Sequence, residues 1–196
     1  PLQKIYFMSK QFSDLGINKE LQARLKDIDI VEPTEVQKKV IPFILQRKND
    51  LVALAKTGTG KTAAFGLPLL QLINPKKDTI QGIILAPTRE LGQQILANLN
   101  LYALYNPEIS VIGLFGGTTI KSQLEVLKRT VHIIVATPGR LLDLIDRKSI
   151  DVSTTSYLVL DEADEMVGAL HDEVENIFKE VPKTSRTLMF TATMPG

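Results

Sequence analysis

Leu51-Val52-Ala53-Leu54-Ala55-Lys56-Thr57-Gly58-Thr59-Gly60-Lys61-Thr62, followed at once by Ala63-Ala64-Phe65, decides the fold. A short apolar run gives way to a glycine-containing loop and then to residues with helical spacing, so the segment reads strand, loop, helix. Glycines at 58 and 60 let backbone N–H groups turn inward, and the helix behind them points its partial positive charge at whatever the loop holds. Lys61 adds a full charge at the same place. Such an arrangement cradles phosphates, with Lys61 reaching the terminal groups and Thr62 offering a hydroxyl to a magnesium ion bridging the β and γ phosphates. The general pattern carries glycine where this chain has Ala55, a change that is tolerable if the backbone there needs no positive φ. Ala55, Lys56, Thr57, Gly58, Thr59, Gly60, Lys61 and Thr62 are therefore the candidate nucleotide contacts. A plain glycine turn joining any strand to any helix is the competing reading, and the number of matched positions weighs against it.

Working outward, short apolar, β-branched runs recur at Leu51–Ala55, Gly82–Ala86, Ser110–Leu114, His132–Ala136, Tyr157–Leu160 and Thr187–Phe190. They are continuous instead of alternating, as in strands covered on both faces, and helical spacing fills the gaps between them. The expected helices are Asn18–Ile28, Thr34–Gln46, Gly60–Ile73, Arg89–Tyr102, Ile120–Lys128, Arg140–Arg147 and His171–Lys179, with Pro42 arguing against one straight helix in the second. The fold class is α/β: a mostly parallel central sheet with helices on both faces.

Composition narrows the chemistry. The 196 residues suit one domain, with no repeat and no low-complexity linker. Cysteine is absent and only His132 and His171 are present, which excludes disulfides, thiolate zinc sites, cysteine nucleophiles and histidine-rich metal sites. A formal charge of +1 means that any anionic partner must be held locally. No long apolar window or signal-type N-terminus is present, so no membrane partner is expected and a cytoplasmic location is the simplest reading.

Ser156-Tyr157-Leu158-Val159-Leu160 runs straight into Asp161-Glu162-Ala163-Asp164. Adjacent carboxylates thus fall at the C-terminal edge of a buried strand, where open parallel sheets bind ligands. Asp161 is placed to hold magnesium through water, and Glu162 to orient and deprotonate a water attacking the γ-phosphate, with Lys61 as the third catalytic candidate. An acidic helix N-terminus favoured by the macrodipole is the plainer alternative for these residues alone.

The Asp161-Glu162-Ala163-Asp164 spelling together with Ala55–Thr62 resembles the DEAD-box family of ATP-dependent RNA helicases, over nearly the whole chain. The resemblance implies a RecA-like P-loop NTPase domain, the first of the family's two, spanning 12–196 behind an extension or leader at 1–11. ATP and magnesium are the implied ligands. Pro33-Thr34-Glu35-Val36-Gln37 resembles the adenine-reading Q motif, with Gln37 as the base contact and Phe12 as its upstream aromatic. Ile30 and Val31 depart from the aromatic and charged residues usual there, which implies looser stacking. Pro87-Thr88-Arg89, Gly116-Gly117 and Thr137-Pro138-Gly139-Arg140 resemble the family's RNA-backbone elements, rich in donors to phosphate and poor in base-reading groups. The implied partner is RNA, single-stranded or in short duplexes, bound without sequence preference.

Thr191-Ala192-Thr193 stands where the family usually has Ser-Ala-Thr, and with Asp164 it forms the implied coupling group. Threonine retains the hydroxyl that donates to the acidic motif but restricts its rotamer. The residues stop at Met194-Pro195-Gly196 directly after an expected strand, so the reading expects a longer protein with a second RecA-like domain, and an isolated domain that binds nucleotide without unwinding. A DNA translocase, a non-catalytic RNA-binding module and a small-molecule kinase remain the rival readings.

Overall fold

The computed structural model describes residues 11–193. The extension expected at 1–11 lies outside them except for Gln11, as do Met194–Gly196. Among the described residues six strands form one sheet: β1 (Leu51–Leu54), β2 (Gly82–Leu85), β3 (Val111–Leu114), β4 (Ile133–Ala136), β5 (Tyr157–Asp161) and β6 (Arg186–Thr191). Every pairing is parallel, in the order β1-β6-β5-β2-β4-β3. The expected α/β class is therefore correct.

Among the described residues eight helices cover the sheet. α1 (Lys19–Asp27), α2 (Glu35–Gln46), α3 (Lys61–Leu72) and α4 (Arg89–Tyr102) pack on one face, against Ala53, Ile84, Val135, Val159 and Phe190. α5 (Ile120–Leu127), α6 (Pro138–Asp146), α7 (Ala163–Ala169) and α8 (His171–Glu180) pack on the other, against Ile83, Leu85, Ile134, Leu158 and Leu160. Successive strand residues feed opposite cores, which is why β2 and β4 are buried at every position and read as unbroken apolar runs. β1 departs from that expectation: it is an edge strand, and Val52 and Leu54 are 54% and 58% exposed on its uncovered face.

Pro42 does not interrupt α2, contrary to the doubt raised by sequence. The missing N–H is outweighed by a complete capping box, in which Thr34 accepts from Gln37 N while the Gln37 side chain accepts from Thr34 N, and by burial of Val40, Ile41 and Ile44. α6 starts at Pro138, two residues before the expected start, because proline at the first helical position already has the required φ. α7 and a 3-10 turn at Ala103–Tyr105 were not expected. Only Ala163 and Met166 of α7 are buried, too few to mark a helical period.

Candidate functional site

The loop after β1 turns on two glycines with positive φ, Gly58 at 80° and Gly60 at 86°. Ala55 is not among the positive-φ residues, and its N–H donates to Thr191 O at 2.9 Å, so alanine at this position carries no strain. Gly60 is further constrained by proximity, since a Cβ there would stand 2.5 Å from Gln37 Nε2. α3 begins directly behind the loop, with buried Lys61 as its first residue.

β5 delivers the carboxylates to the same place. Lys61 Nζ lies 3.1 Å from Asp161 Oδ1 and 3.8 Å from Glu162 Oε1, and the ammonium makes no aligned hydrogen bond. Burial pushes the Asp161 carboxyl above the usual aspartate range, opposed by the adjacent Lys61 charge. Glu162 sits at φ 54°, uncommon for a residue with a Cβ. Its N–H donates to Asp161 Oδ1 at 3.0 Å and its Oε1 accepts from the Thr57 hydroxyl at 3.1 Å. A buried ammonium beside a loop of upturned glycines suits a phosphate group. The Thr62 hydroxyl and Asp161 carboxylate, both lining the same cavity, are hard oxygen donors of the kind magnesium prefers.

That cavity, about 390 Å³, is lined by Thr57, Gly58, Gly60, Lys61, Thr62, Gln37, Asp161 and Glu162, so most of the sequence candidates converge. Ile30 lines it as well. Phe12 does not: it is 4% exposed and packed in the core with Leu21 and Leu25. Ala55, Lys56 and Thr59 line a separate groove between β1 and α2. Gln94, Asn98 and Tyr102 of α4 line the cavity and were missed, although their spacing of four beside the buried Ile95 and Leu99 marks one helical face.

The remaining candidates gather on the other half of the same sheet edge. β2, β4 and β3 are neighbours, so Pro87-Thr88-Arg89, Thr137-Pro138-Gly139-Arg140 and Gly116-Gly117 follow adjacent strand ends. Thr88, Thr119 and Thr137 precede three helices there, giving a row of helix N-termini of the kind that binds phosphate. Arg140 Nη1 donates to Gln123 Oε1 at 2.8 Å and to Thr118 O at 3.2 Å, and Arg89 lies against Gly117, where a Cβ would meet Nη1 at 2.5 Å. Behind β6, Asp164 Oδ2 accepts from Thr193 Oγ1 at 2.8 Å and from Thr193 N at 3.2 Å. Thr191 Oγ1 donates to Thr193 O at 2.7 Å and, with Thr193, also bears on the Asp164 carboxyl, so both threonines of the triplet face the acidic motif.

Residues 34–196 match the family model described as DEAD/DEAH box helicase. RNA helicase CrhR of Synechocystis is 42% identical over 189 residues, covering 96% of this chain and 38% of the relative. ATP-dependent RNA helicase CshA of Listeria monocytogenes is 43% identical over 187 residues, covering 94% and 35%. The chain thus spans little more than a third of these curated relatives. Among solved structures, a DEAD box protein from Methanococcus jannaschii superposes with TM-score 0.90 at 37% identity, covering 94% of this chain and 50% of that one. S. cerevisiae Dbp5 bound to RNA and ADP BeF3 gives TM-score 0.85 at 31% identity, covering 95% and 47%. The parallel sheet is the RecA-like one of these neighbours, and the chain belongs to the DEAD/DEAH box helicase family.

Proposed function

We propose that this chain is the nucleotide-binding part of an ATP-dependent RNA helicase, and that it binds ATP with magnesium in the cavity between the glycine loop and the end of β5. The observation that carries the reading is the cluster of Lys61, Asp161 and Glu162 at that cavity. Loop N–H groups, the α3 N-terminus and Lys61 bind the phosphates. Thr62 and, through water, Asp161 would hold magnesium, which when bound neutralises phosphate charge. Glu162 orients and deprotonates the attacking water. The Gln37 amide spends one N–H on Gly60 O at 3.1 Å and one lone pair on Thr34 N at 2.9 Å. One donor and one acceptor are left, matching N7 and the amino group of adenine.

The strand-end row from Pro87 to Arg140 supplies backbone contacts for single-stranded RNA, with no base-reading groups. A second RecA-like domain is the proposed partner, closing over both ligands and supplying the arginines that accelerate phosphoryl transfer by about 10³- to 10⁵-fold in related enzymes. Asp164 and Thr193 are the proposed link between the two sites. The test is ATP turnover by a polypeptide carrying this chain and that second domain. Stimulation by single-stranded RNA and not by DNA of matched sequence is expected, and Glu162→Gln should lower turnover at least ~100-fold while retaining ATP binding. Equal stimulation by DNA would favour a translocase, and full turnover in the Glu162 variant would overturn the catalytic assignment.

A further inference from the structure

We propose that Arg186 is a positioning residue for base recognition: it anchors the C-terminal end of α2 and thereby fixes Gln37, at the other end, over the phosphate loop. Arg186 opens β6 and is 7% exposed, an unusual setting for a guanidinium. Its Nη1 donates to Ile44 O at 2.6 Å, its Nη2 to Phe43 O at 3.3 Å and its Nε to Asn49 O at 2.6 Å. All three acceptors are main-chain carbonyls, two from the last turn of α2 and one from the link to β1, and the charge faces the negative end of the helix dipole. The plane also lies over the Phe43 ring, 5.5 Å from its centre. Lysine has no fork to span three carbonyls in this way.

The consequence runs along α2. Pro42 removes one main-chain bond just before this turn, so the C-terminal end is weaker than an ordinary helix and depends on the external donor. At the N-terminal end, Gln37 Nε2 touches the loop at Gly60 O. A 12-residue helix is about 18 Å long, and a few degrees of tilt moves its far end by about an ångström, enough to break a hydrogen bond. Strand β6 thus sets the height of the adenine contact from the opposite edge of the sheet.

This inference rests on the reading of Gln37 as the adenine contact, so the experiment has two readouts on the 196-residue chain. Arg186→Lys, with Arg186→Met as a second variant, is compared with wild type and Gln37→Ala. The first readout, without nucleotide, is the NMR signal of the Gln37 side-chain amide, which should shift or broaden in Arg186→Lys while the β4 amides stay in place. The second is affinity for magnesium-ATP against magnesium-tripolyphosphate. ATP binding should weaken about tenfold, the upper end for one lost hydrogen bond between neutral groups, with tripolyphosphate changed less than about twofold. An unmoved Gln37 signal, or equal weakening of both ligands, would overturn the proposal. If Gln37→Ala keeps the full preference for ATP, the adenine reading fails by itself, and the amide signal alone then decides whether Arg186 positions α2.

Discussion

At residue scale, the geometry at Gly60 and at Asp164 can be tested individually. Gly60 holds a φ of 86°, with Gln37 Nε2 only 2.5 Å from where a Cβ would stand. Gly60→Ala should therefore cost about 1–2 kcal/mol of stability and displace the Gln37 amide, measured by denaturant unfolding and by loss of selectivity for ATP over GTP. At Asp164 the Thr193 hydroxyl, accepted by the carboxylate, holds the carboxyl below the usual aspartate range. A depressed folded-state pKa means that the contact stabilises fully above the unfolded value and loses its effect as pH falls through the folded one. Thr193→Val should accordingly lower the melting temperature slightly at pH 7 and at pH 5, with the difference from wild type shrinking only once the pH falls below the usual aspartate range and vanishing when the Asp164 carboxyl is protonated in both states. A difference that persists undiminished at the acid end would show that the hydroxyl acts through packing alone. The clustering of Lys61, Asp161 and Glu162 was readable from sequence because each directly follows a strand or its loop, at the edge where a parallel sheet brings such residues together. Arg186 was not, since a charged residue at a strand start is ordinary until the fold brings it under α2.

At the scale of elements, the strands were legible because burial on both faces leaves unbroken apolar runs, and β2 and β4 match that description at every position. β1 gave the same signal while leaving Val52 and Leu54 exposed, for a run of apolar letters does not say which face is covered. Helix α7 escaped notice for the opposite reason, having few buried residues to set a period. Pro42 misled because the cost of its missing N–H is local, whereas the capping box, the buried face and the Arg186 fork that offset it belong to the helix as a whole. The capping box has a direct measure. Thr34→Ala removes the acceptor of Gln37 N and should destabilise the domain by about 1 kcal/mol while loosening Gln37. An unchanged unfolding midpoint would show that α2 is held by packing and Arg186 without its cap.

At the scale of the molecule, the strand order divides the functional edge of the sheet. β1, β6 and β5 carry the glycine loop, the Thr191–Thr193 triplet and the acidic pair, proposed for ATP and coupling, while β2, β4 and β3 carry the row proposed for RNA. No spacing in the sequence specifies that order, because it depends on which strands pair across the whole chain. The motif order alone therefore named the residues without showing that they fall into two adjacent halves. Phe12 illustrates the same limit, being drawn into the core by α1 and not into the cavity. The central claim is that residues 55–62 and 161–162 form one ATP site built around Lys61. The measurement that tests it most directly is calorimetric titration of this chain with ATP in the presence and absence of magnesium, beside Lys61→Ala. The account predicts one magnesium-dependent site per chain that the substitution abolishes, whereas binding that survives in Lys61→Ala, or no binding by the wild-type chain, would contradict it.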